Sequence, residues 1–190
     1  MRSKTVTMPL VRARAGELAM VVLFGVLTGL ASRVVVHLPG NPVPMTLQVM
    51  PVLLSGLVLG WPRGALAQGA YLAAVLSGLP LDAKMLGAAA LVGPTGGYLL
   101  GFVVAAAVAG WLTNRWGSRA PFLAIAAIAG LASLYICGAL WLAAATGMSA
   151  GNAWRFGVQP FIVVDAAKAT LAVAIARAWR RGPLTIRVPW

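Results

Sequence analysis

The chain has 190 residues; 61% are hydrophobic before its 22 glycines are counted, and only 9% are charged, against roughly 25% in an ordinary soluble domain. That composition excludes a water-soluble globular protein. Fifteen Lys and Arg oppose three Asp and Glu, a net charge of +12, but the basic residues punctuate apolar runs. This argues against nucleic-acid binding and predicts one compact membrane domain over 1–190 without a soluble catalytic domain.

Taken in chain order, residues 1–16 read as a basic cytoplasmic segment that leads into a first apolar span at about 17–36. A basic leader before an apolar stretch also fits a secretory signal peptide, but this stretch is long enough to span and five more follow. Within it Gly25 and Gly29 form a small-xxx-small pair that permits close helix contact, inside the chain or with a partner. Glu17 is expected to complement the start of this helix, neutralised by Arg12 or Arg14.

Prolines 39, 42 and 44 then stop the helix, because each lacks an N–H donor and biases the preceding residue toward extended geometry. A second span is expected at about 45–60, opened by Thr46 and Gln48. The short Trp61-Pro62-Arg63 link makes it a hairpin with a third span at about 64–80, which carries Gln68 and Tyr71. Asp82 and Lys84 read as a solvated loop pair, with Lys84 able to reach an anionic ligand from the rim. Gly93-Pro94 opens a fourth span at about 94–113, with Thr95 and Tyr98 at its start. Spans at about 121–146 and 158–177 follow, separated by the polar segment 147–152, and residues 178–190 form a basic tail.

The expected fold is therefore an all-α integral membrane protein, a single bundle of six transmembrane helices. With the N-terminus inside, eleven of the fifteen Lys and Arg fall on the cytoplasmic side. The positive-inside rule then puts both termini in the cytoplasm, and attraction to anionic membrane lipid is a secondary consequence.

Reactive side chains are scarce. One histidine (His37) and one cysteine (Cys137) cannot build a multi-ligand metal site, and neither a Walker A pattern nor a Gly-x-Ser-x-Gly elbow occurs. The chain does not read as an enzyme, and no metal or prosthetic group is implied. His37 reads as an ordinary loop histidine. The conspicuous feature is Asp165-Ala-Ala-Lys168 in the sixth span, whose spacing sets both side chains on one helix face. Insertion of each ion at mid-membrane costs roughly 2.5–3.5 kcal/mol, so the pair must be matched, snorkel or face a polar cavity. Three readings are open: a substrate receptor, a coupling pair in a secondary transporter, or a structural pair that fixes helix packing.

At its loops the sequence resembles the BioY family, the biotin-specific substrate-binding S components of energy-coupling-factor transporters. The match rests on Leu-Pro-Gly-Asn-Pro-Val-Pro-Met-Thr-Leu-Gln at 38–48, on Tyr71 with Ser-Gly-Leu-Pro at 77–80, on Gly-Pro-Thr-Gly-Gly-Tyr-Leu-Leu-Gly at 93–101, and on Asp165-x-x-Lys168. Asp82 and Lys84 depart from the Gly-rich or apolar stretch expected there. The resemblance implies high-affinity capture of biotin, as transported ligand and not as cofactor, from outside a bacterial plasma membrane. It also implies a scaffold membrane protein and ATPase subunits as partners, with Gly25 and Gly29 meeting the scaffold. Biotin's chemistry fits the residues: Asp165 can accept from ureido N–H groups and Lys168 can donate to a ureido or carboxylate oxygen. Thr46, Gln48 and Thr95 can supply neutral hydrogen bonds, and Tyr71 or Tyr98 a flat apolar wall. The alternative is a secondary transporter or receptor for another small vitamin-like molecule.

Overall fold

A computed structural model of the chain describes residues 7–181, with side chains from residue 15 onward. The 1–6 and 182–190 parts of the basic N-terminal segment and tail lie outside the described residues, as do the Arg12 and Arg14 side chains. Seven α-helices follow in order: α1 (Thr7–Ala31), α2 (Val49–Leu59), α3 (Arg63–Leu76), α4 (Gly96–Trp116), α5 (Ala120–Thr146), α6 (Ala150–Gly157) and α7 (Ile162–Arg181). A 3-10 turn (Gly87–Leu91) precedes α4.

The apolar runs correspond to helices, with several shifts in their limits. The first helix starts well before residue 17 and ends at Ala31; Val35–Val36 (β1) instead pairs antiparallel with Met45–Thr46 (β2). Thr46 and Gln48 therefore precede the second helix, and the proline segment 37–44 is the tip of a small β-hairpin. His37 is exposed in it. Because α1 begins at Thr7, Glu17 is not at a helix start. It accepts instead from Arg63 of α3, at 2.9 Å.

The largest difference lies at 147–162. Gly147, in the left-handed region at φ 70°, ends α5. The polar segment expected as a simple break then starts another helix, because extended Ser149 accepts from the Asn152 N–H and caps α6. The true interruption falls at residues 158–161, and α6 and α7 meet at a 55° bend. Asp165 thereby falls in the first turn of α7, where the helix dipole favours a carboxylate.

By length and composition α4 and α5 are long and apolar enough to cross a membrane, and the bent α6–α7 pair passes as one broken span; the apolar part of α1 (Ala15–Ala31) and α2 are shorter. At 1.5 Å per residue α2 is only about 16 Å long, roughly half a hydrocarbon core. It is nevertheless the centre of the molecule: nine of its 11 residues are buried, and α1, α3, α4, α5 and α7 all touch it. Leu18, Leu30, Ile128, Ile136, Leu140, Val163 and Leu171 point outward and are more than half exposed. An apolar exterior around a packed interior is the arrangement of an all-helical membrane protein.

Candidate functional site

One cavity opens where the short helices leave the bundle unfilled. Its walls come from the β-hairpin (Val43, Pro44, Thr46), the start of α2 (Gln48, Val49), the 82–84 loop, the start of α4 (Thr95, Tyr98, Leu99, Phe102), the middle of α5 (Leu134, Tyr135), Phe161 of the α6–α7 break and Asp165. Its volume of about 60 Å³ is several times what one water needs on the same measure, about 10–15 Å³.

The Gly-Pro-Thr-Gly-Gly-Tyr segment has a packing reason for its composition. A Cβ on Gly97 would come within 2.1 Å of the Trp141 Cβ of α5, so only glycine lets the first turn of α4 approach that closely. Trp141 returns the contact by donating its indole N–H to the Gly93 carbonyl, at 2.9 Å. Tyr98 then lies flat between α5 and α6, over Gly138, whose Cβ would sit 2.2 Å from its ring. Its hydroxyl donates to the Gly157 carbonyl at 2.6 Å. An aromatic wall is thus fixed at both its face and its tip.

At the polar wall Lys168 donates to Asp165 Oδ1 at 2.7 Å and to the Thr46 carbonyl at 2.5 Å. The Tyr135 hydroxyl donates to Asp165 Oδ2 at 2.9 Å. Asp165 is 3% and Lys168 9% exposed. Each carboxylate oxygen has two lone pairs, so both keep acceptor capacity while the charge is matched. Thr46 donates its hydroxyl to Gln48 Oε1 at 3.2 Å. The Gln48 amide donates to Tyr71 Oη at 2.8 Å and to the Thr28 carbonyl at 3.3 Å; Tyr71 donates onward to the Leu81 carbonyl at 3.2 Å.

Of the residues singled out from sequence, Asp165, Thr46, Gln48, Thr95 and Tyr98 reach the cavity wall. Lys168 and Tyr71 stand one layer behind it, Lys168 orienting Asp165 and Tyr71 orienting Gln48. Tyr71 also packs against Phe102, ring centroids 6.1 Å apart. Gly25 and Gly29 face inward: a Cβ on Gly25 would meet the Ala67 carbonyl of α3 at 3.1 Å, and one on Gly29 the side chain of Leu81 at 3.4 Å. The close contact they permit is made within this chain.

Asp82 is not one half of a solvated pair. It is 3% exposed and its oxygens accept from the backbone N–H groups of Lys84, at 2.9 Å, and Gly87, at 2.8 Å. Sequence reasoning missed Tyr135 and the aromatic contribution of Phe102 and Phe161. Tyr135 carried a usable signal, because a phenol inside an apolar helix must find an acceptor and Asp165 is the carboxylate available at that depth.

Comparisons with known proteins bear on what this cavity holds. A family model described as the BioY family matches residues 2–183. A probable biotin transporter BioY of Pyrococcus horikoshii is 38% identical over 164 residues, which cover 86% of this chain and 95% of that protein. The biotin transporter BioY of Thermotoga maritima is 41% identical over 142 residues, 74% of this chain and 83% of that protein. Among solved structures, the crystal structure of the S-component for biotin from an ECF-type ABC transporter superposes with a TM-score of 0.82 at 25% identity, covering 89% of this chain and 93% of that one.

Proposed function

The chain belongs to the BioY family, and from that premise we infer that it is a biotin transport protein, the S component of an ECF-type transporter. It is not an enzyme; energy comes from the coupling module with which an S component works. In this reading the module's scaffold and ATPase subunits are its partners. The chain is one membrane domain with six membrane-embedded segments in the plasma membrane, α6 and α7 forming the sixth. The Lys and Arg distribution supports cytoplasmic termini, which turns the cavity toward the outer face.

The observation that carries the reading is the cavity wall at Asp165. Its matched, buried carboxylate retains lone pairs for the two N–H donors of a ureido ring. Tyr98, Phe102 and Phe161 offer apolar surface to the thiolane ring, and Thr46, Gln48 and Thr95 lie near enough to add neutral hydrogen bonds. In this assignment Lys168 and Tyr71 position the residues that touch ligand. Gly25 and Gly29 pack α1 onto its own neighbours, which leaves the outward face of α1 for the scaffold.

Isothermal titration of the detergent-purified protein tests the assignment. Biotin is expected to bind with high affinity, and thiamine and riboflavin not at all; no heat with biotin would reject it.

A further inference from the structure

Biotin has two unlike ends, a neutral ureido ring and a carboxylate on a flexible arm, and the cavity has two unlike polar walls. The Asp165 wall carries no spare positive charge. Lys168 stands behind it and is already bonded to Asp165 and to the Thr46 carbonyl, so an anion placed there would meet a carboxylate first. A second polar stretch of the lining is the 82–84 loop. Lys84 is the single cation among the cavity-lining residues, and it makes no ion pair among the described residues.

The loop is built to hold that lysine at the mouth. Asp82 accepts the backbone N–H groups of Lys84 and Gly87 through its side chain, and that of Met85 through its carbonyl at 3.1 Å. Both Asp82 oxygens are thus engaged with backbone donors. Met85 is held at φ 56°, a left-handed conformation rare for a residue with a side chain. Across the opening, the Lys84 ammonium donates to the Pro42 carbonyl of the β-hairpin, at 2.8 Å. An ammonium has three donors, so two are not used in that bond.

We propose that Lys84 selects the acid end of the transported molecule: its ammonium binds the valerate carboxylate at the cavity mouth while the ureido ring lies against Asp165. This role rests on the biotin reading above and goes beyond it by orienting the ligand. Lys84 is exposed, so its contribution is that of a solvent-screened pair and depends on salt.

The test titrates the purified protein, its Lys84→Met variant and its Lys84→Arg variant with biotin, biotin methyl ester and biotinamide. At low salt the unmodified protein and Lys84→Arg should bind the acid up to about fivefold more tightly than either neutral analogue, and the preference should narrow as salt is raised. Lys84→Met should bind all three alike. Loss of the tie to Pro42 alone would lower all three affinities together and leave their ratio unchanged, so a Lys84→Met protein that keeps the preference overturns the proposal. Equal binding of acid and ester by the unmodified protein also overturns it. Binding of none of the three by the unmodified protein would instead overturn the biotin assignment itself.

Discussion

Two ion pairs, Asp165–Lys168 and Glu17–Arg63, are nearly equal in length, 2.7 and 2.9 Å, and opposite in setting. The Lys168 and Asp165 side chains are 10% and 4% exposed and stand three residues apart on one helix; those of Arg63 and Glu17 are 21% and 25% exposed and join α3 to α1. The partly exposed pair can relax into solvent and is worth little. The buried pair has lost its water, and its attraction must first offset that loss, so it is a poor device for stability. Its additional bonds to Tyr135 and Thr46, and the place of Asp165 on the cavity wall, support a role in the site that nothing suggests for the other pair.

The sharpest way to break this contrast is to remove one buried partner. Asp165→Asn and Lys168→Ala should each weaken biotin binding by well over tenfold in titration. Lys168→Ala, which strands a buried carboxylate, should also cost about 3 kcal/mol or more of stability, read as a lower melting temperature. Next, the double variant Asp165→Leu/Lys168→Met should recover most of that stability without recovering binding. A double variant that binds biotin would show that the pair serves packing alone.

Tyr135→Phe removes one hydrogen bond to a charged group and keeps the ring, so a loss of about tenfold in biotin affinity is expected; unchanged affinity would reduce Tyr135 to a wall residue. The smallest effect belongs to the other pair. Glu17→Gln or Arg63→Gln should shift stability by less than about 1 kcal/mol and leave biotin affinity alone. A larger change in affinity would mean that the α1–α3 contact communicates with the cavity.

What was legible from the sequence follows the same division between local and distant causes. Prolines 39, 42 and 44 and the Trp61-Pro62-Arg63 link act on their own backbone, so the breaks they make were readable. The Asp165–Lys168 contact was readable because three residues of one helix fix it. Thr46 was found as a polar group, but not as the end of a strand, since its pairing depends on Val35, eleven residues away. The α6 cap was hidden because Ser149 and Asn152 look like an ordinary polar break until the hydroxyl is seen to accept an N–H.

Asp82 was misread for a related reason. An acid beside a lysine in a loop suggests a solvated pair, and only the fold shows that its carboxylate gathers backbone N–H groups from two residues. Tyr135 sits in the longest apolar helix, and its partner is thirty residues away. Lys168 and Tyr71 were recognised as polar groups of the site, but that they bond to lining residues, Asp165 and Gln48, rather than line the cavity themselves depends on the fold.

The bonding of α2 to α7 has a mechanical consequence. Near the cavity Lys168 of α7 holds the Thr46 carbonyl just ahead of α2, and at the far end Arg180 of α7 donates to the Leu57 carbonyl at 2.9 Å and to that of Val58 at 3.4 Å. Two rods bolted together at both ends form a braced frame that resists both sliding and splaying. The frame carries Gln48 and Asp165 on its cavity end, whereas the hairpin tip and the 82–84 loop lie outside it and are tied to each other by the bond from Lys84 to the Pro42 carbonyl.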